Sequence, residues 1–179
     1  MDPLKIIQKY YDSESRLYNI LVNHSTSVKK KALVVAKKVK HLNPDLEFIK
    51  EASMLHDIGI FQVYASQIEC FGENPYPCHG YLGRKILEKE GFFKHALVCE
   101  RHIGVGITKE DIIKQKLPLP KRNMVPVTLE EKIISFADNF FSKDNLLKEK
   151  SIDAIKKNLA RFGKWKVERF EKELEFFGN

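Results

Sequence analysis

Three places in the chain could do chemistry together. They are His24 in NHSTSV, the adjacent pair His56-Asp57 in MLHDIGIFQ, and Asp138 in SFADN. A carboxylate set in such an apolar segment costs on the order of several kcal/mol unless a cation or hydrogen bonds satisfy it. An imidazole beside it fits a metal site, and it also fits an ordinary His–Asp hydrogen bond. Two imidazoles and two carboxylates brought together would suit a hard-to-borderline divalent ion such as Fe, Mn, Co or Ni. The HD dipeptide alone says little. With a histidine upstream and an aspartate downstream it becomes specific.

The elements that must position these groups read as helices. Asp2-Pro3 opens a first short one. Ser13 or Ser15 begins a long tract towards His41, in which His24, Val28, Ala32, Val35 and Val39 recur at steps of three and four. That spacing puts them on one face, so His24 points inward with the apolar stripe. Asn43-Pro44-Asp45 predicts a cap and a helix from Pro44 to about Asp57, with Ile49, Ala52 or Ser53, and His56 on one side and Gly59 at the stop. Residues 60–78 carry aromatics and two prolines without a period. They read as an irregular segment, either closing over a pocket or forming a packed connection. Helices are expected over 79–89 and 92–102 around Gly91, and again over 108–116. A proline-bearing loop follows, and then a helix opened by the capping-box spacing of Thr128 and Glu131 and carrying Ile133, Ile134, Ala137 and Asp138. Ser151 opens a last basic, aromatic helix over about residues 151–178. No repeat or β-hairpin signal stands out, so the class is all-α.

Composition narrows the partners. A length of 179 residues suits one domain, residues 1–179, with a sizeable core. The net charge of +7 allows an anionic partner. Lys29–Lys31 and Lys37-Lys38 flank the apolar Ala32–Ala36, however, and read as the wet side of one helix. With no arginine–glycine tail and no aromatic-basic sheet signature, nucleic acid is not expected. Residues 1–16 lack the apolar run of a signal peptide, and no segment is long enough to span a membrane. Cys70, Cys78 and Cys99 form neither a CxxC pair nor an even disulfide framework. A cytoplasmic location is therefore expected.

With these motifs in place, the sequence resembles the HD superfamily of metal-dependent phosphohydrolases over about residues 21–141. CERHIG (Cys99–Gly104) and TLEEKI (Thr128–Ile133) are similar to an uncharacterised archaeal and bacterial branch with the HDIG form. The resemblance implies an HD-domain helical core, here with an added basic C-terminal helix. It implies that His24, His56, Asp57 and Asp138 hold one metal. By position, His79 in PCHGYLG and His102 in ERHIG would hold a second, with Asp57 as the bridge. His95, seven residues before His102, is the rival for that place. Cys78 and Cys99 sit beside these candidates and read as small packing residues.

The implied cofactors are two divalent ions, Fe or Mn first, with Co, Ni or Mg also fitting. The implied reaction is hydrolysis of a nucleotide or related phosphoester or phosphoanhydride by a metal-activated hydroxide. Asp57 and the neighbouring cation Arg101 are the catalytic candidates; Arg84, Lys109 and Arg122 are further candidates for holding a small phosphorylated substrate. The HD-GYP phosphodiesterases are similar in metal chemistry, yet Ile60 stands where their lysine follows HDIG, and the GYP motif is missing. That argues against cyclic di-GMP. Two alternatives stay open, a di-iron oxygenase of the same superfamily and a non-catalytic nucleotide-binding regulatory module. The ligand set alone does not separate them.

Overall fold

The computed structural model describes residues 1–144 and 148–178. Helix α1 (Pro3–Ile7) starts on Asp2, whose carboxylate accepts the Leu4 amide at 3.1 Å. Helix α2 (Arg16–Lys38) starts on Ser15, whose hydroxyl accepts the Tyr18 amide. The cap of α3 (Leu46–Leu55) is Asp45, which accepts the Phe48 amide at 2.9 Å. The expected start at Pro44 is two residues early. Asn43 lies in the left-handed region, at φ 51°, where it closes a turn, and Pro44 precedes the cap instead of following it.

Residues 60–78 are irregular apart from a minimal antiparallel ribbon, β1 (Tyr64–Ala65) with β2 (Cys70–Phe71), in which Tyr64 faces Phe71. Strands of two residues are too short to display an alternation, so the sequence carries no sign of them. The class remains all-α. Helices α4 (His79–Lys89) and α5 (Phe93–Arg101) form a hairpin about Gly91, whose φ of 84° suits glycine. Short α6 (Lys109–Lys114) precedes α7 (Leu129–Asp138). Thr128 caps α7 by accepting the Glu131 amide. The single C-terminal helix expected from Ser151 onward is two: α8 (Ile152–Ala160) and α9 (Lys164–Gly178). Gly163 breaks them at φ 136°, a conformation that L residues avoid.

Helix α2 packs on α3 and α7, α5 packs on both of these and pairs with α4, and α9 lies across α2 and α7. The stripe predicted on α2 is buried: Val28, Ala32 and Val35 meet Ile49, Ile133 and Phe136, and α9 adds Phe170 and Phe177. Each such valine, isoleucine or phenylalanine contributes about 1.5–3 kcal/mol on burial. A second cluster, with Leu21, Leu55, Ile58 and Leu87, packs under the other half of α2. The six predicted ligands lie on elements that these two cores hold fixed.

Candidate metal centre

Three histidines sit at helix ends. His56 follows the last turn of α3, His102 follows the last turn of α5, and His79 closes the short turn at 76–78 before α4. The final carbonyls of a helix lack amide partners. Two imidazoles fold back to satisfy one, His56 Nδ1 onto Ser53 O at 2.7 Å and His102 Nδ1 onto Cys99 O at 2.7 Å; His79 Nδ1 reaches Tyr76 O at 2.6 Å, which also accepts the His79 amide. A carbonyl only accepts, so Nδ1 carries the proton and donates. In the neutral ring Nε2 is then an unprotonated donor, the tautomer a metal requires.

All of these Nε2 atoms face Asp57. Its Oδ2 lies 3.1 Å from both His24 Nε2 and His56 Nε2. Its Oδ1 lies 3.3 Å from His79 Nε2 and 3.4 Å from His102 Nε2. Asp138 completes the first group, with Oδ1 at 2.9 Å from His24 Nε2 and 3.4 Å from His56 Nε2. Two donor sets therefore share Asp57, one with His24, His56 and Asp138 and one with His79 and His102; within each set the donor atoms lie within 4.8 Å of one another.

These residues fit metal ions on their own chemistry. Both Asp57 oxygens and His56 Nε2 are buried without a hydrogen-bond partner of normal geometry. The Nε2 atoms of His79 and His102 face each other at 3.3 Å. Two neutral rings with Nδ1 protonated would set lone pair against lone pair there, and a shared cation relieves that. Mixed imidazole and carboxylate donors are the set that Fe, Mn and similar ions accept.

The electrostatics of the cluster agree. Burial alone would lower the His56 pKa, but Asp57 and Asp138 outweigh it and raise it to about 10. Burial would likewise raise the two carboxyls, yet His56 and Lys143 at Asp57, and His24 and His56 at Asp138, hold both well below the usual range. Burial draws the His79 ring down to about 3. Two ionised, desolvated carboxylates thus collect positive charge from whatever is at hand.

Proximity of the Asp57 turn to α4 is set by glycine. A Cβ on Gly59 would stand 2.3 Å from His79 O and 2.4 Å from the Gly83 amide nitrogen. Gly59 has an ordinary φ of −86°, so its purpose is space, not the chain reversal its position suggests. Tyr11 fixes the same turn by donating its hydroxyl to Ile58 O at 2.7 Å. Ser135 and Asn139 on the α7 side both donate to Gly104 O at 2.8 Å, tying Asp138 to the loop after His102.

The cations sort differently from expectation. Arg101 turns away from the centre: one guanidinium nitrogen donates to both oxygens of buried Glu131, at 2.9 and 3.1 Å, and so joins α5 to the start of α7. Successive helical residues point about a quarter-turn apart, so adjacency to His102 was no guide to direction. Arg84 and Arg122 both clamp buried Glu100, and Arg84 also holds Glu88. Lys109 is exposed at the start of α6, its amide capped by Asn123. His95 pairs with Glu51 at 3.2 Å and belongs to neither donor set. Cys78 and Cys99 are buried in packing.

The cation at the centre is one the sequence reading missed. Lys143 Nζ lies 2.6 Å from Asp57 Oδ2 and donates to the Tyr76 hydroxyl at 3.1 Å. Its charge is held: burial opposes it, but Asp57 raises its pKa well above the usual lysine value. A lysine five residues beyond the last predicted ligand, in the short FFSKD connection, cannot stray far, which was the available signal.

The HD domain family matches residues 21–142, which includes all six predicted ligands. The chain belongs to this family. The HD domain here is also similar to three curated proteins from archaea. It is 38% identical over 147 residues to the uncharacterized protein MJ0778 of Methanocaldococcus jannaschii, covering 80% of this chain and 78% of that one. It is 37% identical over 146 residues to a tRNA (cytidine(56)-2'-O)-methyltransferase of Thermoplasma volcanium, covering 81% of this chain but 37% of the relative. The same named enzyme of Picrophilus torridus is 32% identical over 135 residues, covering 75% of this chain and 35% of the relative. The chain thus spans little more than a third of the two methyltransferases. Among solved structures, the HD domain of the L. monocytogenes phosphodiesterase PgpH superposes with a TM-score of 0.56 at 18% identity, over 96% of this chain and 94% of that one, a likeness of fold. No helix among the described residues is long and apolar enough to cross a membrane.

Proposed function

We propose that this HD domain is a binuclear metal-dependent phosphohydrolase acting on a small phosphorylated substrate, a nucleotide or related phosphoester or phosphoanhydride. The observation that carries the reading is the division of Asp57: one oxygen faces His24 and His56, the other faces His79 and His102. A carboxylate so divided suits a bridge, with Asp138 completing the first set. Fe or Mn fits this donor set best, with Co, Ni and Mg behind. When bound, a pair of divalent ions makes a nucleophile from water near neutral pH and offsets charge on phosphoryl oxygens.

The chain's own residues supply the rest. The protonated Nδ1 atoms hold three imidazoles in the ligating tautomer. Lys143 carries a desolvated ammonium beside Asp57, where it can meet charge that grows on a phosphoryl oxygen. Tyr76 orients that ammonium. Lys143 stands in this role in place of Arg101, Arg84, Lys109 and Arg122. The methyltransferase name of two relatives attaches to chains nearly two thirds of which lie outside the match. Imidazoles and carboxylates around a common centre give methyl transfer no part, while that association supports a substrate drawn from nucleotide chemistry.

Metal analysis of anaerobically purified protein, joined to a phosphate-release panel, tests the proposal. Two ions per chain are expected, falling to about one in His79→Ala and in His102→Ala. Unchanged stoichiometry in both variants would return the site to one metal. Dioxygen consumption without phosphate release would favour the oxygenase.

A further inference from the structure

A cavity of about 300 Å³ opens against the centre on the Asp138 side. Its polar lining includes Asp138, Lys143 and Lys150. Its apolar lining includes Ile107, Leu159 and Phe162. Its walls divide at the edge of the family match. Asp138, Asn139, Phe141 and Ser142 belong to the matched region, whereas Lys143, Lys150 and the residues of α8 and α9 come after residue 142. The far wall is rigid, because buried Lys166 on α9 bonds Gly106 O at 2.6 Å and pairs with Asp111 at 3.1 Å. Those two charges satisfy each other. Phe162, in contrast, is 46% exposed at the rim, and the amide of Asn158 stands beside it in solvent.

We infer that this cavity seats a terminal phosphomonoester carrying one planar, base-sized ring group, and that α8 and the turn after it are the element that selects the substrate. The inference rests on the phosphohydrolase reading and narrows it. Two lysines, Lys143 and Lys150, line the cavity together with Asp138. A terminal phosphate carries close to two negative charges at neutral pH, a bridging diester one, so this pair favours the monoester. Lys150 has no close ion pair among the described residues; burial lowers its pKa, and the more distant Asp138 and Asp144 oppose that. The volume lies at the lower limit for small-molecule pockets, enough for one ring system and short of a second nucleotide. Phe162 supplies a face for stacking, while Asn158 and Gln115 supply amides for a ring edge.

Calorimetry on the purified protein decides the matter independently of turnover. The probes are inorganic phosphate, a nucleoside 5′-monophosphate and a cyclic dinucleotide. Phe162→Ala is expected to weaken the monophosphate about tenfold and inorganic phosphate by less than about twofold. Lys150→Gln weakens both. Phe93→Ala, on an exposed phenylalanine outside the cavity, weakens neither. A cyclic dinucleotide that binds as tightly as the monophosphate overturns the size argument. Phosphate binding that depends on Lys150, with no gain from the nucleoside or no loss in Phe162→Ala, overturns the selection role and leaves the hydrolase reading standing. Binding of neither phosphate nor monophosphate removes both.

Discussion

Asp57 bears more of the centre than any other residue, because each oxygen serves a different set of imidazoles. Asp57→Asn keeps the shape and removes the charge that the ions would share. Metal content should fall to less than half of wild type, and phosphate release by at least about 100-fold; elemental analysis and single-turnover kinetics on one preparation check both. Lys143→Gln makes the contrasting case. It removes a donor to the reacting phosphoryl group and no ligand, so metal content should hold while turnover falls by about 10²–10³. Equal loss of metal in the two variants would make Lys143 a support of the centre and nothing more. His24, His56, Asp57 and Asp138 were legible because period and motif agreed on direction. Lys143 was not, since it follows the end of α7 in a non-periodic connection, where sequence offers distance and no direction. Arg101 was misread for the opposite reason: it was near the site in sequence and aimed elsewhere by the helix.

At the level of elements, caps gave most helix starts; the errors came from Pro44, which precedes the Asp45 cap, and from two glycines. Gly163 divides a C-terminal pattern that is amphipathic throughout, and an isolated glycine in such a pattern is compatible with continuity as well as with a break. Gly59 sits where a stop was expected, although its role is contact: the turn after α3 meets α4 there backbone to backbone. Gly59→Ala should cost about 1–3 kcal/mol in urea unfolding and lower metal occupancy, since the turn carrying Asp57 must move from His79. An unaltered midpoint would mean that the contact relaxes freely. Helix α9 offers a pH test away from the centre. Glu173 is buried, with Arg169 as a distant partner at 3.4 Å, and burial pushes its carboxyl up to about 7. A folded pKa above the unfolded value favours the protonated form, so the benefit is full below about pH 4.5 and is lost as pH rises through 7. Glu173→Gln should flatten this loss and leave the protein more stable at pH 8 by about 1–3 kcal/mol, read from denaturant curves across pH 5–8.

Taken whole, the molecule builds its centre from both ends of the domain: His24 and Asp138 meet across 114 residues of chain. Each ion that binds only the folded form should stabilise it by about 4 kcal/mol at a thousandfold excess over Kd, or about 8–16 °C in Tm per ion for a domain of this size. Differential calorimetry before and after chelation measures this. The all-α class and the long-range pairing were readable because buried stripes and ligands coincided on the same helices. The cavity was not, because one wall comes from α8, α9 and the turn between them, whose placement depends on the Gly163 break. That cavity has a further consequence. Of the six ligand candidates, Asp138 has 15% of its side chain exposed, while the other five have 3% or less. In the proposed function, metal and substrate would therefore share one doorway. An ion departs past the spot where a phosphate would lie, so occupancy of the cavity governs exchange kinetics: saturating inorganic phosphate should slow the stripping of metal by EDTA, and an empty cavity should leave the ions free to go.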